Sequence, residues 1–83
     1  MSNAWEITEE DVYVVLNEHG LIAENPTSKI LDKAFEEILR QSDRIEKAVL
    51  FYINFDDQCN AALSEIEDIL IERKIIPEKN KLF

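Results

Sequence analysis

Residues 8–21 read TEEDVYVVLNEHGL and contain the start, the apolar stripe and the end of one helix. Thr8 followed by Asp11 resembles a capping box, in which the two side chains bond free backbone N–H groups at a helix start. Gly20 suits the left-handed position just beyond a helix end. One helical face lies between these signals at i, i+3, i+4 and i+7, and its residues are Val12, Val15, Leu16 and His19. We therefore predict a first helix that begins at Thr8 and ends at His19.

Two more segments have the same periodicity and predict a second and a fourth helix. Asn25 and Pro26 suit the cap and the first position of the second helix. Its apolar side consists of Ile30, Leu31, Ala34, Phe35, Ile38 and Leu39. Asp56 or Asp57 can cap the fourth helix, and Pro77 closes it. Its apolar side consists of Cys59, Ala62, Leu63, Ile66, Ile69, Leu70 and the stem of Arg73.

Residues 48–55 suit either a helix or a strand. Ser42 can cap a third helix before this segment. The main face of that helix consists of Ile45, Ala48, Val49 and Tyr52. A single strand would have no partner in this sequence, so we predict that the third helix continues to Phe55. Its remaining circumference is also apolar, and a helix that is apolar on all sides is buried centrally or lies in an interface.

Four helices with short connections in 83 residues predict one all-α domain, a compact and mostly antiparallel bundle. One glycine and two prolines leave too few turn residues for a small multi-stranded fold. We expect residues 1–6 and 78–83 to be loose ends, although Leu82 and Phe83 could dock on the bundle.

Cysteine usage and hydropathy predict a cytoplasmic protein. Cys59 is the single cysteine, so the chain cannot form the internal disulfides that a secreted domain of this size usually needs. No apolar run approaches the roughly 18 residues that cross a bilayer. Residues 1–6 also lack the basic and apolar regions of a signal peptide.

The formal net charge of −9 is concentrated in two parts of the sequence. Residues 1–28 contain six acidic residues and no Lys or Arg, and residues 54–72 repeat that composition. Such a charge distribution repels nucleic acid and anionic membranes and attracts a basic protein surface.

The sequence offers no recognisable catalytic, metal or cofactor site. His19 is the single histidine, and we expect it to interact with the dipole at the end of the first helix. Cys59 is expected to be a small core residue. Clustered zinc ligands, a calcium-binding loop and a glycine-rich phosphate loop are all missing. We therefore expect neither enzymatic activity nor a bound cofactor.

A row of acidic residues on the fourth helix is the first candidate binding surface, and it consists of Asp57, Glu65, Asp68 and Glu72. Asp68 and Glu72 are a like-charge pair one turn apart, which costs roughly 0.2–0.5 kcal/mol. They also lie toward the helix C-terminus, where the helix dipole disfavours anions. Folding alone would place a lysine there, so we interpret the row as a binding face, with an ordinary solvated face as the alternative.

Apolar residues away from the main helix faces form the second candidate surface, and these are Val14, Leu50, Phe51 and Phe55. A buried central helix would cover most of them. If they are exposed, they indicate a homodimer or partner contact.

The leading hypothesis is a non-enzymatic protein-interaction module whose acidic face binds a basic protein surface. One version is a nucleic-acid mimic from a phage or mobile element, since rows of carboxylates imitate rows of phosphates. An acidic carrier protein is an alternative, although the Asp-Ser-Leu attachment motif of acyl carrier proteins is missing. An immunity-type protein is another, although the Tyr-Tyr-Pro element of the colicin immunity family is missing. A structural homodimer is the last.

Overall fold

The computed structural model describes residues 7–22, 29–77 and 81–83. These residues form four helices and no strand: α1 (Glu9–Glu18), α2 (Lys29–Arg40), α3 (Ser42–Val49) and α4 (Phe55–Glu72). The predicted all-α bundle of four short helices is confirmed. The predicted start of the second helix at Asn25 and Pro26 lies outside the described residues, as do residues 1–6 and 78–80.

Helix α1 has the predicted signals at both ends. The Thr8 backbone N–H donates to the Asp11 carboxylate over 3.1 Å, and the Asp11 N–H donates to the Thr8 hydroxyl over 3.4 Å. Gly20 has a φ of +73°, and the Leu21 N–H donates to the Leu16 carbonyl over 3.0 Å. Together with the Gly20 bond to Asn17, this is a Schellman motif.

Helix α4 is the longest element and packs against each of the other three helices. One apolar core lies between them and consists of Val12, Val15, Leu16, Ile22, Leu31, Ala34, Ile38, Ile45, Val49, Ala62, Ile66, Ile69, Leu70 and Ile76. The radius of gyration is 12.3 Å, close to the roughly 12 Å of a compact chain of this length. Within the described ranges, each helix is too short or too polar to cross a membrane.

The predicted boundary between the third and fourth helices is wrong. Helix α3 ends at Val49, and α4 already begins at Phe55, ahead of the predicted caps Asp56 and Asp57. Asn54 is the N-cap, and its side-chain oxygen accepts the Asp56 N–H over 2.7 Å. Asn is among the strongest N-cap residues, so this local bond starts α4 earlier and leaves residues 50–54 as a connection.

The end of α4 uses a residue that rarely takes this conformation. Lys74 has a φ of +62°, the left-handed region that glycine normally occupies after a helix. The Lys74 N–H donates to Ile71 over 3.0 Å, and the Ile75 N–H donates to Leu70 over 2.9 Å. The chain therefore makes a second Schellman motif here without glycine.

Candidate functional site

Arg44 of α3 neutralises two members of the predicted acidic row. Its guanidinium nitrogens lie 2.8 Å from a Glu65 oxygen and 2.8 Å from a Glu72 oxygen. The hydrogen bond from Arg44 lowers the pKa of the Glu72 carboxyl, and that same bond raises the pKa of Arg44 above its ordinary value. The two carboxylates are two helical turns apart on α4, so one arginine joins them across the α3–α4 contact.

Asp68, the third member of the row, is paired with Lys81. The Lys81 ammonium lies 2.9 Å from the Asp68 carboxylate and 2.8 Å from the Ser64 hydroxyl. Asp57 lies exposed in the first turn of α4 and makes no ion pair with the residues that the structure describes. The structure therefore places one unpaired and three paired carboxylates along this row.

Ion pairs with other parts of the chain offset the unfavourable positions of Asp68 and Glu72. Within α4 alone, these two carboxylates are a repulsive pair one turn apart. Arg44 and Lys81, which come from other parts of the chain, give each carboxylate a favourable partner. A structural role therefore accounts for these two acidic residues.

The connection between α3 and α4 and the first residue of α4 expose an apolar cluster, here called the 50–55 cluster, that consists of Leu50, Phe51, Tyr52, Ile53 and Phe55. Phe51 is 85% exposed and Ile53 is 100% exposed. The interpretation that a central helix buries these residues is wrong, since α3 ends before them. Val14, the remaining residue of the predicted apolar surface, is half-buried on α1, whose main contacts are with α2 and α4.

A groove of about 580 Å³ lies beside this cluster, between α3 and α4. Phe51, Tyr52 and Phe83 supply aromatic walls, and Lys47 and Asp57 place opposite charges on its rim. Small side chains also line it, namely Ala48, Ala61 and Ser64. The 50–55 cluster and this α3–α4 groove are contiguous, because two aromatic residues belong to both.

A buried polar pair, which the sequence analysis did not identify, joins α1 to α4. His19 Nε2 lies 2.6 Å from a Glu67 carboxylate oxygen, and the two side chains are 1% and 0% exposed. The sequence predicts only an interaction of His19 with the helix dipole. A signal was present, because His19 continues the stripe of α1, and Glu67 falls between Leu63 and Leu70 at helical spacing.

The Glu67 carboxylate also holds residues 81–83, here called the 81–83 segment. It accepts the backbone N–H of Leu82 over 2.7 Å and that of Phe83 over 3.2 Å. Burial alone would raise the pKa of Glu67, but the hydrogen bonds from Leu82, His19 and Phe83 together lower it. The prediction of a loose end at 78–83 is therefore wrong for residues 81–83, and the noted option that Leu82 and Phe83 dock describes them.

His19 Nδ1 is buried and has no hydrogen-bond partner within the described part of the chain. A carboxylate can only accept, so the hydrogen of the 2.6 Å contact with Glu67 lies on His19 Nε2.

Cys59 and the acidic residues do not form a group of metal ligands among the described residues. Cys59 is half-buried rather than in the core, and burial, with smaller contributions from Asp11 and Asp56, raises the pKa of its thiol. A thiol with a raised pKa is a poor nucleophile at neutral pH. Across residues 7–22, 29–77 and 81–83, no group of three metal-ligating side chains comes together.

Comparison with known proteins adds no relative: neither a family model, nor a curated protein, nor a solved structure matches the chain.

Proposed function

We propose that the chain is a non-enzymatic protein-interaction module that docks through the 50–55 cluster and the adjoining α3–α4 groove. The observation that carries this proposal is the exposure of five large apolar side chains within six consecutive residues. The partner is a protein surface that offers apolar pockets bordered by basic groups.

The energy of burial supports docking at this cluster. Covering a large apolar side chain contributes about 1.5–3 kcal/mol relative to leaving it in water, so Phe51 and Ile53 alone supply a substantial driving force. Exposed apolar patches of this kind mark interaction sites, and aromatic residues are enriched at the centres of interfaces. The 50–55 cluster combines both features.

Charge favours a basic partner over a second copy of the chain. Asp56 and Asp57 lie directly after the cluster in the first turn of α4, and the chain has a net charge of −9. Two copies with this charge repel each other, whereas a basic surface is steered toward the cluster. The nucleic-acid mimic gains no support, because it needs a row of unpaired carboxylates and Glu65, Asp68 and Glu72 are paired.

A cytoplasmic location forms part of the proposal. The single cysteine, Cys59, cannot form a disulfide within the chain, and reducing compartments are where small domains without such bonds are most common.

Photo-crosslinking at Ile53 tests the proposed function. A photoreactive phenylalanine analogue at this fully exposed position does not disturb the core, and we expect it to capture a basic partner from an extract of the source cells. Unlabelled wild-type chain should compete with this capture, whereas the Phe51→Ser/Ile53→Ser variant should not. Leu39→Ser is the matched control, because Leu39 is 49% exposed but lies on α2.

Each other outcome counts against the proposal. Capture is unspecific if unlabelled wild-type chain does not reduce the crosslinks. It is also unspecific if the Phe51→Ser/Ile53→Ser and Leu39→Ser chains reduce them equally. Crosslinks between copies of the chain, together with a dimer in sedimentation equilibrium, would replace the proposed partner by a homodimer.

A further inference from the structure

The 81–83 segment is bound to α4 through a set of contacts that resembles a peptide in a binding site. Glu67 accepts two successive backbone N–H groups, from Leu82 and Phe83. Asp68 and Ser64 bind the Lys81 ammonium. The Phe83 side chain packs against the core and lines the α3–α4 groove.

These contacts divide into a general part and a selective part. The backbone N–H groups that Glu67 binds are present in every peptide without proline at those positions. Selectivity comes from the two side chains on either side of Leu82, since Leu82 itself is 55% exposed. The site therefore fits an extended segment in which a basic residue precedes an aromatic residue by two positions.

The segment supplies two of the three N–H donors to a buried carboxylate. The Glu67 side chain is fully buried while the segment is in place, and among the described residues His19 alone would still bond its carboxylate after release. Release also admits water to the carboxylate, so the open form does not hold a buried unpaired charge. Segments held by a few hydrogen bonds open locally far more easily than the whole fold.

We propose that the α4 surface around Glu67 is a binding site for an extended peptide with a basic residue two positions before an aromatic residue, and that the 81–83 segment occupies it in cis. A partner peptide of this type binds when the segment is released. This site shares Ser64 and Phe83 with the α3–α4 groove but no residue with the 50–55 cluster, and the inference does not depend on docking at that cluster.

A single substitution can release the segment and leave the site intact. Leu82→Pro removes the N–H that donates to Glu67 over 2.7 Å, because proline has no backbone N–H. Leu82→Ala is the matched control, since it removes the same exposed side chain and keeps the N–H. Amide hydrogen exchange at Phe83 should be slow in the wild type and in Leu82→Ala and at least tenfold faster in Leu82→Pro.

Fluorescence anisotropy with a labelled Lys-Leu-Phe-amide peptide then measures binding to the full chain. We expect Leu82→Pro to bind at least tenfold more tightly than the wild type and Leu82→Ala, because a tethered segment competes at roughly millimolar effective concentration. The same peptide with N-methyl-leucine lacks the central N–H and should not bind. Asp68→Asn in the Leu82→Pro chain should weaken binding by up to about fivefold.

Protection of the Phe83 amide in Leu82→Pro would overturn the inference. So would absence of peptide binding after release of the segment, or equal binding of the N-methylated peptide. Circular dichroism checks that both Leu82 variants keep the helical fold. Dimerisation of the wild type through exchanged 81–83 segments would also overturn the assignment of a partner peptide as the ligand.

Discussion

Glu67 is the residue whose role differs most from what its type suggests. Acidic residues are seldom fully buried unless they are paired, and here three N–H donors surround the carboxylate. From the sequence alone, Glu67 counts only as one of the acidic residues of the chain. Periodicity predicts which side of a helix faces inward, but it does not predict which hydrogen-bond donors lie on that side. The donors come from α1 and from the 81–83 segment, both distant in the sequence.

Removal of this carboxylate should destabilise the fold strongly. Glu67→Ala leaves His19 and two backbone N–H groups without their acceptor, and we expect the free energy of unfolding to fall by about 3–5 kcal/mol. Urea denaturation followed by circular dichroism measures the change. Glu36→Ala, an exposed position on α2, should stay within about 0.5 kcal/mol of the wild type. A loss below about 1 kcal/mol for Glu67→Ala would show that the buried hydrogen bonds contribute little.

The stabilising effect of Glu67 should depend on pH in one direction. Its pKa in the fold is lowered below the ordinary value of about 4.3, so the folded state favours the ionised form. This contribution is complete above the unfolded-state pKa and is lost as the pH falls through the folded-state pKa. The stabilisation of the wild type relative to Glu67→Gln should therefore shrink as the pH falls below about 4.3. A difference that grows on acidification would contradict this.

At the scale of elements, the ends of α1 were predictable and the boundary between α3 and α4 was not. The Thr8 box and the Gly20 motif involve neighbours in sequence, so composition and spacing identify them. The end of α3 at Val49 has no such signal, because an apolar run suits helix, strand and interface alike. Asn54 is the local signal for the start of α4, since its side chain caps the helix.

The Lys74 position should become more stable with glycine. A non-glycine residue in the left-handed region costs roughly 1–2 kcal/mol, so we expect Lys74→Gly to raise the free energy of unfolding by about 1 kcal/mol. Lys33→Gly makes the same chemical change inside α2, where glycine is expected to lower stability by about 1 kcal/mol. Thermal or urea unfolding of both variants checks the opposite signs. Destabilisation by Lys74→Gly would mean that the lysine side chain has an unrecognised role.

At the scale of the whole molecule, the helical class followed from the sequence but the distribution of surface charge and apolar area did not. Few turn residues and three amphipathic periodicities predict the helical class, and the third helix follows because a single strand at residues 48–55 would have no partner. The pairing of Arg44 with Glu65 and Glu72 depends on which helices become neighbours, and so does the exposure of Phe51. Because of these tertiary contacts, the 50–55 cluster is a better candidate binding surface than the acidic row.

The unfolding free energy of the Phe51→Ser/Ile53→Ser variant tests most directly whether the 50–55 cluster serves binding rather than folding. Both side chains are exposed, so urea denaturation should give a value within about 0.5 kcal/mol of the wild type, as is usual for surface substitutions. A loss of about 3 kcal/mol or more, the size expected when large side chains are removed from a core, would contradict the docking proposal, since it would mean that these residues are buried in the folded chain.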